Sequence, residues 1–348
     1  LSALPLRSVG IRMLILHLTI GLVVLPHGGC LATRRPTEFC TFVLRQVQRP
    51  AMRMSCDTVT VMINGLSGAM GQEIAAASLR RGLKLAPFGL ASKSEEVSVD
   101  DGVGGEPQRV ELYGSDRREE LAQQALACYP TFGSLICIDF THPSCVNTNC
   151  QWYASHRLPF VMGTTGGDRE ELERTVQAVS LPCVIAPNMA KQIVALQAAL
   201  ESMALEFPNS FSGYKLSVTE SHQSTKADTS GTAKAISAHL ARLTGESDFS
   251  IEHIERVREP AQQLTGGGPS HLGVSPVPEA AIGGHAFHTY CMTSGDGKVE
   301  FQVRHNVQGR TTYAEGTVDA ALFLVKQIAS GASPQTYTMI DVLRSGAM

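Results

Sequence analysis

Between residues 59 and 186 short apolar runs alternate with segments of helical period. The β-branched run 59–63 is followed by a helical pattern through Ile74 and Leu79 that stops at Arg81-Gly82. Further strand-like runs fall at 83–88, 134–140, 159–162 and 183–186, and helical segments at 119–128, 146–155 and 169–179. Regular alternation of this kind predicts a parallel, doubly wound sheet. Residues 93–118 are polar, rich in glycine and acids, and read as a mobile or surface segment.

The pattern changes after Pro187. A long helix is expected over 191–206, and 214–220 alternates as a strand. Ile236, Leu240 and Leu243 recur at i, i+4, i+7, an apolar helix face. Residues 249–258 are strand-like, and 259–283, with much Gly and Pro and no period, read as a mobile loop. Residues 286–293 and 298–306 form a hairpin around Ser294-Gly295-Asp296-Gly297, and 317–328 a closing helix. The expected fold is therefore α/β: a Rossmann-like dinucleotide-binding domain and a second α+β domain with a mixed or antiparallel sheet. Its boundaries are set at 56–186, completed by 315–348, and at 187–314.

Residues 1–55 have another character, with seven Arg and a single acid, Glu38. Their apolar run 13–25 is short for a membrane span and suits the h-region of a signal, and an Arg/Ser/Thr-rich stretch follows. The segment is expected to be a targeting leader, disordered or removed. It would deliver the protein to the plastid or chloroplast stroma with no membrane attachment in the mature form.

At 348 residues the chain has room for about two domains. With 43% apolar and 18% charged residues it is globular, and a net charge of -3 gives no reason to expect nucleic acid as a partner. Nine cysteines without a C-x-x-C pair read as free thiols in a reducing compartment. No metal is expected, because His285, His288 and His305 lie in strand-like runs and lack a fourth ligand at zinc spacing.

Three places carry chemistry. The first strand runs into Gly65-Leu66-Ser67-Gly68-Ala69-Met70-Gly71, a G-x-x-G-x-x-G turn opening a helix. Backbone N–H groups and the helix dipole there suit a dinucleotide pyrophosphate. No acid follows the second strand until Glu95, whereas Ser92 and Lys93 suit a 2'-phosphate, so NADPH is favoured, with NADH as the alternative. Asp139-Phe140-Thr141-His142-Pro143 and Gly163-Thr164-Thr165-Gly166 fall at carboxyl ends of strands, where ligands bind in such sheets. Finally, 219–233 (TESHQSTKADTSGTA) packs His222, Lys226 and Ser230-Gly231-Thr232 into a loop before a helix. A capped helix start with a nearby Lys binds an anion, and a His titrates near neutrality.

Taken together in this order, these motifs resemble the 4-hydroxy-tetrahydrodipicolinate reductase family, over about residues 57–348. S-H-Q-S-T-K-A-D-T-S-G-T is similar to its plant-type branch; bacterial members carry a second histidine where Gln223 stands and an Ala-Pro pair where Thr229 stands. The resemblance implies that Gly65, Gly68, Ala69 and Met70 hold the pyrophosphate. Gly163 and Thr165 would meet the nicotinamide carboxamide, with Phe140 beside the ring. His222 and Lys226 would be the acid/base pair, Ser230, Gly231 and Thr232 would bind a carboxylate, and Arg310 would stand near the site. The substrate implied is a cyclic imine dicarboxylate of the diaminopimelate route to lysine, and the assembly a homo-oligomer, dimer or tetramer. Two alternatives stand beside this reading. Another two-domain NAD(P)-dependent reductase of the semialdehyde dehydrogenase type would need an activated cysteine. A non-catalytic NADP(H)-binding sensor would have no use for His222, Lys226 and the S-G-T triplet together.

Overall fold

Strand β1 (Thr60–Asn64) is buried at every position, with Val61 and Ile63 packed into one apolar cluster and Met62 into another. A strand that feeds two cores must lie inside a sheet covered on both faces. The computed structural model describes residues 59–346 apart from 101, 103, 165, 247 and 268–271; the proposed leader lies outside them. It places β1 beside one edge strand of a six-stranded parallel sheet. Its neighbours are β2 (Lys84–Leu85) on one side and β6 (Leu135–Asp139), β7 (Phe160–Met162), β8 (Cys183–Ile185) and β13 (Thr336–Tyr337) on the other. Helices α1 (Ala69–Arg80) and α8 (Thr311–Ala329) cover one face, and α2 (Arg118–Cys128), α3 (Val146–Ser155) and α4 (Arg169–Ala178) the other. Strand order reverses between β1 and β6, so the carboxyl ends of these two strands flank the crevice where such sheets bind ligands.

The segment 83–88 is not one strand. After β2 the chain leaves the main sheet at Pro87, which has no N–H for a ladder. Then β3 (Phe88–Leu90) joins a separate sheet of order β3-β5-β4. Strands β4 (Glu95–Val99) and β5 (Gln108–Tyr113) pair antiparallel within the stretch read as a mobile or surface segment. Their inward Val97, Val99, Val110 and Leu112 pack on the core, while Glu96, Ser98, Arg109 and Glu111 face water.

The second sheet has the order β10-β9-β11-β12. Strand β9 (Tyr214–His222) pairs antiparallel with β11 (His285–Ser294), and β11 with β12 (Glu300–Gln308), whereas β10 (Ile254–Val257) runs parallel to β9. Helices α5 (Lys191–Glu206) and α6 (Gly231–Thr244) cover it through Leu200, Ile236, Leu240 and Leu243. The segment 259–283 is not simply a loop, since it forms α7 (Pro260–Thr265) and a turn of 3-10 helix at Glu279–Ala281. Buried Gln263 of α7 donates to the carbonyls of His222 (2.7 Å) and Val257 (3.2 Å). Among the described residues no helix is long and apolar enough to cross a membrane.

Gly316 sits where α8 crosses the start of α5, and a Cβ there would stand 1.8 Å from the Met189 carbonyl oxygen. Gly316→Ala is expected to cost about 1–3 kcal/mol or more by overpacking. A calorimetric midpoint equal to wild type would refute this account of the crossing.

Candidate active site

The turn after β1 is set by backbone contacts that admit no side chain. Gly65 has φ +84°, and a Cβ there would lie 2.5 Å from the Phe140 carbonyl oxygen; at Gly71 it would lie 2.4 Å from the Gly65 oxygen. The chain therefore passes close to the end of β6, and α1 starts at Gly68 with its first N–H groups at the crevice. Gly163 serves as a shelf in the same way. A Cβ on it would stand 2.1 Å from Phe140 Cζ, so the Phe140 ring lies directly against that backbone. Ala69 and Met70 open α1. Thr165 lies outside the described residues.

Beneath these strand ends runs a polar network that the sequence reading missed. Asp139, fully buried, accepts from Tyr153 Oη (2.7 Å), Asn149 Nδ2 (2.9 Å), the Thr141 N–H (3.1 Å) and hydroxyl (2.8 Å), and Thr164 Oγ1 (3.2 Å). Asn64 Nδ2 in turn donates to Tyr153 Oη (2.6 Å), and Asn64 Oδ1 accepts from the Leu90 N–H (2.8 Å). One network thus fixes the ends of β1, β3, β6 and β7. Beyond β3, Ser92 and Lys93 are exposed, and the Lys93 ammonium sits 3.5 Å from Glu95.

On the second sheet, His222 is the last residue of β9 rather than part of the loop, and is 7% exposed. Its Nε2 lies 3.3 Å from His288 Nε2 and 3.9 Å from Glu220 Oε2. Burial first, then the neighbouring His288, lowers the His222 pKa to about 3, although Glu220 opposes the shift. The ring is therefore neutral at physiological pH. Glu220 is fully buried; its Oε1 pairs with Arg258 Nη2 and its Oε2 accepts from the Ser230 N–H (3.0 Å). Desolvation would raise its pKa, but His288 and Arg258 outweigh that and hold it at about 2.

His222, Gln223 and Arg310 line one cleft of ≈ 190 Å³, together with Gly284, His285 and Tyr313. Lys226 and the S-G-T triplet do not line it. The Lys226 ammonium is tied to Asp228 (2.7 Å), and Arg258 Nε donates to the Lys226 carbonyl (2.8 Å). Ser230 caps α6 by accepting from the Ala233 N–H, and Thr232 Oγ1 accepts from Asn188 Nδ2 (3.2 Å), which lies just beyond β8. The N–H groups of Gly231 and Thr232 begin the helix with no carbonyl behind them.

The roles of Glu220, His288 and Arg258 are not legible in the sequence, because strand register brings the three together. His288 lies opposite Glu220, and His305 opposite His288. The readable hint was Glu220-Ser221-His222, whose i, i+2 spacing puts an acid and an imidazole on one strand face. The donor atoms of Glu220, His222 and His288 lie within 4.8 Å of one another, but the positive charge beside Glu220 is already supplied by Arg258. Two of the described thiols are unsuited to the cysteine chemistry of a semialdehyde dehydrogenase. Burial raises the thiol pKa of Cys150, and of Cys183, to about 12, the reverse of an activated nucleophile.

A Rossmann-like sheet with a glycine turn at its switch point, joined to a mixed sheet carrying a His/Arg cleft, defines a two-domain NAD(P)H-dependent oxidoreductase. Residues 59–189 match the N-terminal part of dihydrodipicolinate reductase and residues 193–343 its C-terminal part, so the chain belongs to the dihydrodipicolinate reductase family. It is 46% identical over 290 residues to a probable chloroplastic 4-hydroxy-tetrahydrodipicolinate reductase 1 of Oryza sativa subsp. japonica, covering 83% of this chain and 79% of that one. It is 43% identical to the chloroplastic reductase 2 of Arabidopsis thaliana, covering 83% and 78%. In fold it is similar to a dipicolinate-bound dihydrodipicolinate reductase from Paenisporosarcina sp. TG-14, with TM-score 0.53, 18% identity, and 82% and 99% of the two chains covered.

Proposed function

We infer that this chain reduces 4-hydroxy-tetrahydrodipicolinate to tetrahydrodipicolinate with NAD(P)H, in lysine biosynthesis by way of diaminopimelate. Within its family, the observation that carries the reading is the cleft that joins a buried neutral imidazole, His222, to the Arg310 guanidinium. The substrate is a cyclic imine bearing two carboxylates. Arg310, Lys226 and the start of α6 at Ser230, Gly231 and Thr232 offer the cation and N–H contacts that these need. The cofactor supplies the hydride when bound. The 4-hydroxyl leaves as water to give a conjugated imine; what the protein must add is orientation, exclusion of bulk water and one proton for the enamine carbon formed when the hydride is delivered. His222 and Lys226 are the acid/base pair for that proton. Because His222 is neutral when empty, it takes up a proton to donate only as the substrate carboxylates arrive and raise its pKa, whereas Lys226 needs to exchange Asp228 for the substrate.

The nucleotide side follows the crevice. Gly65, Gly68, Ala69 and Met70 take the pyrophosphate, and Phe140, Gly163 and Thr165 the nicotinamide. Ser92 and Lys93 take the 2'-phosphate of NADPH. Residues 56–186 with 315–348 form the nucleotide-binding part and 187–314 the substrate part. A homo-oligomer, dimer or tetramer, in the plastid stroma completes the reading, prompted by the chloroplastic relatives.

The test is NADPH oxidation by residues 56–348 on freshly made substrate. Substrate-dependent oxidation is expected, with kcat/KM higher for NADPH than NADH. Lys93→Ala should erode that preference by raising KM for NADPH alone. An NADH preference indifferent to Lys93→Ala would refute the 2'-phosphate assignment, and absence of turnover with either cofactor would refute the function.

A further inference from the structure

Glu220 and His288 do not reach the cleft, yet both lie against the residue that does. The β9–β11 register sets His288 opposite Glu220, and His222 follows two residues later on the same face of β9. His288 Nε2 stands 3.3 Å from His222 Nε2 and 3.7 Å from Glu220 Oε2, and His222 Nε2 stands 3.9 Å from the same oxygen, so the three polar atoms form a close triangle.

Resting on the reading that His222 meets the substrate, we propose that His288, backed by Glu220, is a positioning residue: it keeps the inner nitrogen of His222 as a hydrogen-bond acceptor and thereby presents the His222 Nδ1–H to the cleft. Two ring nitrogens at 3.3 Å form a hydrogen bond only when one carries a hydrogen and the other a lone pair. Burial settles which. His288 Nδ1 is buried with no partner, so a hydrogen there would be stranded, whereas one on Nε2 faces both the Glu220 carboxylate and His222 Nε2. His288 therefore keeps its Nε2 hydrogen, His222 Nε2 accepts, and the hydrogen of neutral His222 resides on Nδ1. That nitrogen is the ring atom that does not meet His288, and His222 lines the cleft with Arg310. Remove His288, and Glu220, 3.9 Å away, is the remaining polar partner of the inner nitrogen of His222. The carboxylate then draws the hydrogen to Nε2, and the cleft meets a bare lone pair instead of a donor.

The other groups around the pair do not undo this. From β11 and β12, Tyr290 stacks at 6.2 Å from the His288 ring centroid and His305 at 4.5 Å. From just beyond β10 and from the loop after β9, Arg258 and Lys226 bring positive charge that favours a neutral His222. Arg258 also fixes Glu220 in place, and the Ser230 N–H holds the same oxygen that faces His288.

The experiment uses long-range 15N–1H NMR of histidine-labelled enzyme, with steady-state kinetics, on wild type, His288→Phe and His288→Gln. Wild-type His222 is expected as the Nδ1–H tautomer, and His288→Phe should shift it toward Nε2–H. That variant should lose about ten- to hundredfold in kcat at unchanged KM for NADPH. His288→Gln, whose amide N–H replaces the donor, should restore the tautomer and most of kcat. Wild-type His222 as the Nε2–H tautomer, or His288→Phe with wild-type tautomer and kcat, overturns the proposal. If His288→Phe does not fold, the wild-type tautomer and the His288→Gln rescue decide. Full turnover in His222→Gln would instead defeat the underlying site reading, while the NMR result stands on its own.

Discussion

His222→Gln and Lys226→Ala are each expected to lower kcat by about 10²–10⁴-fold, the usual worth of a placed proton donor or acceptor. The Kd for NADPH should stay at the wild-type value, because both residues belong to the second sheet and its loop, away from the glycine turn at Gly65. Gln keeps much of the His222 volume beneath the cleft and can still hydrogen-bond to His288, but it cannot titrate. Lys226→Ala removes the ammonium and frees Asp228, a carboxylate that repels a dianionic substrate. Its KM should therefore rise along with the loss of kcat, whereas His222→Gln should act mainly on kcat. The double variant should lose less than the product of the two single losses, because the residues serve one proton transfer. Stopped-flow fluorescence for NADPH and turnover for the substrate separate the two effects. If the double variant keeps turnover, the pair is not the acid/base machinery.

The nucleotide half was legible because its information is local. A buried run, a glycine turn and a helical period follow one another from Val59 to Arg80, and steric contacts at Gly65 and Gly71 enforce the turn. Strands β4 and β5 were harder to read. Each has one face in water, so Glu95-Glu96-Val97-Ser98-Val99 looks polar on average, and its period of two is short. The candidate site was half legible. His222, Lys226 and Ser230–Thr232 are close in sequence, but what surrounds His222 is not. His288 reaches it across β11, and Arg258 from beyond β10. Asp139 was quoted as the end of a strand, with no means of knowing that Tyr153 and Asn149 on α3 would close over it.

Arg258→Ala is expected to be the most destabilising change at the site, by about 3–5 kcal/mol at pH 7, because it strands a carboxylate that is fully buried. The guanidinium also donates to the carbonyls of Lys226 and Asp228, so its loss frees the loop that carries Lys226, and kcat should fall as well. The pH dependence identifies the cause. In wild type the Glu220 pKa is depressed to about 2 from an ordinary 4.5. A depressed carboxylate stabilises the fold above its unfolded pKa and loses that contribution as pH falls through the folded one. In Arg258→Ala the desolvation of Glu220 is less opposed, its pKa rises, and the carboxyl takes up a proton in the range where wild type still resists one. The midpoint gap between the two proteins should thus be widest at neutral pH and should narrow as pH falls through the raised Glu220 pKa of the variant, since the unfolded chains titrate alike. His222 and His305, both lowered to about 3 chiefly by burial, weaken either protein as pH drops from 6.5, so they largely cancel in the difference. A gap that stays constant from pH 7 to pH 3.5 would mean that Arg258 acts through the loop carbonyls alone, and that Glu220 does not depend on it for its charge.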